Sequence, residues 1–167
     1  MKRSAFTVLE TLVTIAIIAV VVTLVLVGLR HYRERAEAIR CGSNMRSIQV
    51  ALAAAVQDEG GRWPQIPVEV DIDPDRAEDW WFDQLKNYGI TENTWKCPTI
   101  QRKVVSRTEN GRPRLHYQPT QFDDRAGTPY KWTTQPWLVE IGNMHGGGPL
   151  LSFPDGSIKG MDEVVGR

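Results

Sequence analysis

The chain has 167 residues, with 20 Lys and Arg against 20 Asp and Glu. On a formal net charge of zero no nucleic-acid partner is expected. Residues 60–167, about one hundred, are enough for one small core and no more.

Lys2 and Arg3 open the chain, and from Phe6 to Leu29 the only charged residue is Glu10. A run of about twenty apolar residues spans a bilayer as a helix. Its many β-branched residues disfavour helix slightly in water. In lipid every backbone group must bond internally, and helix wins. An ionisable residue there costs about 2.5–3.5 kcal/mol even on a lenient insertion scale, so Glu10 calls for a compensating partner. A cleaved secretory signal has an apolar core of about 7–15 residues and a small-residue cleavage site. This run is longer and continues into Leu29-Arg30-His31-Tyr32-Arg33. A plain signal anchor accounts for the length but not for Glu10.

From Arg30 to Asp58 there is no Pro, and Gly42 is the only Gly. Met45, Ile48, Leu52 and Val56 recur at helical spacing beside Ala51 and Ala55, which predicts an amphipathic continuation of the same helix. Asp58-Glu59-Gly60-Gly61 ends it, with Gly in the C-terminal place.

Residues 60–167 are rich in Trp, Pro and Gly, which suits short strands joined by turns. Trp80-Trp81-Phe82 followed by Leu85 reads as a short helix burying one side. Strands are expected at Leu115–Gln118, Trp137–Ile141, Leu150–Phe153 and Ser157–Lys159. Gly146-Gly147-Gly148 reads as a flexible approach to a hairpin whose turn is Pro154-Asp155-Gly156-Ser157. The expected fold is α+β, with the long helix on one face of a small antiparallel sheet. Tyr117, Phe122, Tyr130, Trp132 and Trp137 are read as core and loop packing, the other reading being a glycan- or protein-binding surface.

The sharper chemical readings are weaker. His116, His145 and Asp155, with Asp123 and Asp124, are candidate ligands for Zn²⁺ or Ca²⁺. No pair among them has a local ligand spacing, so no metal and no cofactor is expected. A hydrolase built on His116, His145 and Asp155 lacks a nucleophile motif, a Gly-x-Ser-x-Gly elbow and a phosphate loop, so an enzyme is not expected.

Ala5-Phe6-Thr7-Val8-Leu9-Glu10 resembles the prepilin cleavage motif of type IV pilins and type II secretion pseudopilins. Asp58-Glu59-Gly60-Gly61-Arg62-Trp63-Pro64 and Thr94-Trp95-Lys96-Cys97-Pro98 resemble elements of the pseudopilin-like proteins abundant in Planctomycetes and Verrucomicrobia. His145, followed after nine residues by Asp155-Gly156, matches their C-terminal prepilin-associated motif. The resemblance implies a pilin-like fold and a chain in four parts: a cytoplasmic leader at 1–5, a transmembrane half-helix at 6–29, an amphipathic half at 30–59 and a globular domain at 60–167. It implies a prepilin peptidase cutting between Ala5 and Phe6, N-terminal methylation of Phe6, and Glu10 at the fifth mature position. Ala5 stands where the family usually has Gly; it too is small. Cutting there creates a cationic amine, and methylation keeps an amine's charge. Glu10 pairing with that amine on a neighbouring subunit would fix the axial stagger of bundled helices, the best-attested use of a buried polar group.

The resemblance therefore implies a filament subunit whose partners are the peptidase, other pilin or pseudopilin subunits and the inner membrane. Its globular domain would be periplasmic, then exposed on a filament or at the cell surface. The alternative is a membrane-anchored periplasmic binding module that does not polymerise. Counting Lys2 and Arg3 against Arg30, Arg33, Arg35 and Arg40 favours the opposite orientation; Glu34 and Glu37 interleave those arginines as helical partners. An exported domain lies in an oxidising compartment, where Cys41 and Cys97 can bridge; two buried free thiols is the other reading. His145, Asp155 and Gly156 are expected to be structural, with His145 bonding to or capping the loop backbone.

Overall fold

A computed structural model describes residues 7–104 and 115–166. The chain divides into two compact units, Met1–Ala36 and Glu37–Arg167. Helix α1, Val8–Asp58, contributes to both.

In the first unit α1 opens with a reciprocal cap. The Thr7 N–H and hydroxyl both donate to Glu10 Oε2, and the Glu10 N–H returns to Thr7 Oγ1. A Thr followed three residues later by Glu is a capping box, satisfying donors that a helix start leaves open. From Val8 to Leu29 every residue is exposed. Such a segment, apolar on all sides with none of it buried, has the character of a membrane span. It is long and apolar enough to cross a membrane once, near the N-terminus. The hydroxyls of Thr11, Thr14 and Thr23 donate to the carbonyls of Thr7, Glu10 and Ala19. These polar side chains are thus satisfied inside the helix, as a membrane span would require.

In the second unit the remainder of α1 buries the expected stripe. Cys41, Met45, Ile48, Leu52 and Val56 are fully buried, with Ala51 and Ala55 beside them. The helix stops in a Schellman arrangement. The Gly61 N–H reaches Val56 O at 2.7 Å and the Gly60 N–H reaches Gln57 O at 3.1 Å. Gly60 takes φ +67°, a conformation that would strain any residue with a Cβ.

Short elements follow this helix in the second unit. Helix α2 covers Val68–Asp71 and α3 covers Pro74–Lys86. Asp73 caps α3 by accepting from the Asp75 and Arg76 amides, Pro74 supplies a preset first turn, and Trp81 and Leu85 form the buried side. Helices α4, α5 and α6 cover Pro98–Val104, Thr128–Lys131 and Met161–Val165. Strands β1 (Tyr117–Pro119), β2 (Leu138–Glu140), β3 (Leu150–Ser152) and β4 (Ile158–Gly160) form one antiparallel sheet in sequence order. The architecture is therefore α+β. Strand β1 starts later than periodicity predicts, because the His116 N–H turns away to Trp95 O.

Four tryptophans fill the core: Trp63, Trp81, Trp95 and Trp137. Trp63 lies at the centre, its ring 6.3 Å from Trp81, 4.8 Å from Phe122 and 5.3 Å from Trp137. Contacts of this geometry add about 0.5–1.5 kcal/mol per pair beyond area burial. The aromatic group read from sequence thus divides. Tyr117, Phe122 and Trp137 are core, whereas Tyr130 and Trp132 are partly exposed.

The three consecutive glycines are not a loose approach. A Cβ on Gly160 would lie 2.5 Å from Gly147 O, and one on Gly148 would lie 2.8 Å from the Met161 Cβ. The Met161 and Asp162 amides close onto Pro149 O and Gly147 O. The glycines allow that backbone approach and anchor the segment to the start of α6.

Candidate functional site

Ala5 and Phe6, the residues expected to be cut and methylated, lie with the rest of the expected leader at 1–5 outside the described residues. Glu10 sits in the first turn of α1. Both donors from Thr7 reach its Oε2. Among the described residues no hydrogen bond reaches its Oε1.

The second cluster is built by four separate segments of the globular unit. Cys41 comes from α1, Cys97 from the residue before α4, Glu140 from the end of β2 and His145 from the loop that follows. Cys41 and Cys97 form a disulfide with Cα atoms 5.0 Å apart. His145 Nε2 lies 3.5 Å from Cys97 Sγ and 3.1 Å from Glu140 Oε1. The Leu150 N–H donates to Glu140 Oε2 at 3.3 Å. Glu140 is 1% exposed, and the His145 side chain is 8% exposed. The ligand-capable atoms of all four residues lie within 4.8 Å of one another.

The surrounding backbone holds this cluster from outside. The Cys97 N–H donates to His116 Nδ1 at 2.8 Å, and the Tyr117 hydroxyl donates to Cys41 O at 3.1 Å. Tyr117 pairs with Glu140 across the β1–β2 ladder. Burial, and then the Glu140 charge, push the Tyr117 hydroxyl far above its ordinary range, so it stays a donor. The Asn44 side chain donates to Lys96 O, beside Cys97.

Sequence reasoning grouped His145 with Asp155, His116, Asp123 and Asp124. The structure gives them different partners. His145 meets a carboxylate and a sulfur, not the loop backbone it was expected to bond. The Ser157 hydroxyl, and then the Ser157 N–H that Asp155 accepts at 2.9 Å, hold the Asp155 carboxyl below the ordinary range. The Gly156 N–H reaches Phe153 O, and Gly156 takes φ +86°. Phe153–Gly156 thus closes a tight turn that ends on a left-handed glycine, as hairpin loops commonly do. Asp123 pairs with Arg125, whose guanidinium lowers its carboxyl to about 2. Asp124 is exposed.

Glu140 is the residue the sequence reading missed. Its signal was an acidic side chain in the strand-like run Trp137–Ile141, two residues from Leu138 and so on the same face. Glu37 likewise does more than balance helical arginines. It receives the Arg102 guanidinium at 2.8 Å and the Thr99 hydroxyl at 3.2 Å, tying α1 to α4.

No protein-family model matches this chain, and no match arises among curated proteins or solved structures.

Proposed function

We propose that the chain is a pilin- or pseudopilin-like filament subunit of a type II secretion or type IV pilus-like system. On this reading it enters the inner membrane through the apolar half of α1 and is processed between Ala5 and Phe6. It then assembles through bundled copies of that helix.

The observation that carries the reading is Glu10 at the start of an apolar, exposed helical segment. Val8–Leu29 would span about 33 Å at 1.5 Å per residue, close to the thickness of a hydrocarbon core. In a lone anchor that carboxylate does no more than cap the helix, through Oε2 and Thr7. In a bundle it has a second use: the Phe6 amine of a neighbour would meet Glu10 Oε1 while Thr7 keeps Oε2. Only one stagger satisfies both charges. The Cys41–Cys97 disulfide supports export of the globular unit, because such bonds persist in oxidising compartments.

The test compares Glu10→Leu and Glu10→Gln with the wild type in the native membrane. Both variants are expected to insert normally and to be missing from sheared filaments. If Glu10→Gln assembles like the wild type, charge pairing is not what sets the stagger. If Glu10→Leu also assembles, the filament reading loses its central support.

A further inference from the structure

A buried carboxylate–imidazole pair needs a reason. Replacing such pairs by apolar residues is often neutral or stabilising, so packing alone does not require Glu140 and His145. Their position against the two sulfurs supplies one. We propose that the dithiol form of this chain binds one Zn²⁺ between Cys41 Sγ, Cys97 Sγ, His145 Nε2 and Glu140 Oε1. The disulfide and the zinc complex are then two exclusive states of one site. This inference does not depend on the filament reading.

The donor chemistry is that of a closed zinc centre: two thiolates, an imidazole and a carboxylate, four ligands in all. With Zn–S of about 2.3 Å and Zn–N or Zn–O of about 2.0–2.2 Å, a tetrahedral site needs ligand atoms about 3.3–3.8 Å apart. The four donor atoms already lie within 4.8 Å of one another. His145 Nε2 is 3.5 Å from Cys97 Sγ and 3.1 Å from Glu140 Oε1, close to those values. The remaining adjustment is separation of the two sulfurs once their bond is broken.

Supporting contacts are in place as well. Glu140 keeps the Leu150 N–H on Oε2 and has Oε1 for the metal. The Cys97 amide is held by His116 and the Cys41 carbonyl by Tyr117. Outer contacts of this kind orient ligands. Both cysteines are fully buried and Glu140 nearly so, so the site excludes water and is structural rather than catalytic.

The interconversion balances through thiol–disulfide exchange. A protein disulfide of the oxidoreductase class accepts two electrons from the Cys41 and Cys97 thiolates. It takes up two protons and leaves as a dithiol. The Cys41–Cys97 bond forms and Zn²⁺ departs. A dithiol reductant with Zn²⁺ runs the reverse. Either state staples α1 to the segment before α4.

The test uses the full chain in detergent, reduced under anaerobic conditions and titrated with Co²⁺ and then Zn²⁺. Wild type is expected to bind one metal per chain, with tetrahedral cobalt bands and a thiolate charge-transfer band, and the oxidised chain is expected to bind none. His145→Gln and Glu140→Gln are expected to weaken binding by about tenfold or more. Zinc binding is also expected to raise the unfolding midpoint of the reduced chain, since a ligand of the folded state stabilises it. Metal uptake no greater than that of the Cys41→Ser, Cys97→Ser double variant overturns the proposal. So does cobalt affinity untouched by both His145→Gln and Glu140→Gln. If reduction unfolds the chain and Zn²⁺ does not restore the near-ultraviolet signal of its tryptophans, the proposal also fails.

Discussion

Thr7 and Glu10 close each other's open groups. Two donors from Thr7 meet Glu10 Oε2 at 2.8 and 2.9 Å, and the Glu10 amide returns to Thr7 Oγ1 at 3.3 Å. A helix cap and an assembly contact can therefore share one carboxylate, and mutation can separate them. Thr7→Ala removes the cap, worth about 1 kcal/mol, and is expected to lower filament yield by no more than about fivefold. Glu10→Gln keeps an acceptor for Thr7 but loses the charge, and is expected to abolish assembly. Immunoblots of sheared filaments against membranes read both. Equal losses for the two variants would mean that only helix initiation matters.

The disulfide joins residues 56 apart in sequence. Closing a loop of that size restricts the unfolded chain, and removing the link typically costs about 2–4 kcal/mol. The Cys41→Ser, Cys97→Ser variant is expected to lose that much in denaturant unfolding followed by tryptophan fluorescence, with chelator present. Membrane insertion is expected to be unchanged. An unaltered midpoint would mean that the bond does not constrain the globular unit.

Two glycines should respond in opposite directions to the same substitution. Gly160→Ala drives a Cβ to 2.5 Å from Gly147 O, a backbone atom that cannot swing aside. It is expected to destabilise by about 1–3 kcal/mol. Gly42→Ala, inside α1 with nothing within 4 Å of its Cβ, is expected to stabilise by about 0.5–1 kcal/mol. Thermal unfolding of both variants in one detergent checks the pair.

Acid stability carries a signature of Asp123. Its carboxyl is held at about 2 by the Arg125 guanidinium, below the ordinary 3.8. A depressed acid stabilises the fold above its ordinary value and loses that contribution as pH falls through the folded value. The gap in unfolding midpoint between wild type and Asp123→Asn is expected to narrow between about pH 4 and pH 2. The pair is exposed, so the effect is small. A gap constant over that range would show that Asp123 does not titrate with folding.

Much of the architecture is legible from local signals. The stripe from Met45 to Val56 marks the buried side of α1, Trp80-Trp81-Phe82 with Leu85 marks α3 and its buried side, and Pro154–Ser157 marks the last hairpin. Other features depend on contacts no local pattern encodes. Cys97-Pro98 reads as a loop, yet Pro98 opens α4, where the missing amide costs nothing. Glu140 reads only as one residue of the strand Trp137–Ile141, with no partner in sight. It is buried because His145 and the Leu150 amide, brought in by chain reversals, satisfy it. The three glycines before Pro149 read as slack because their close neighbour, Gly160, lies beyond the hairpin.

The most direct test of the filament account is the mass of the mature N-terminus, taken from protein purified from its own membrane. The account predicts a chain that begins at Phe6 and carries a methylated amine. A chain that retains Lys2 and Arg3 would contradict it and leave a membrane-anchored module in its place.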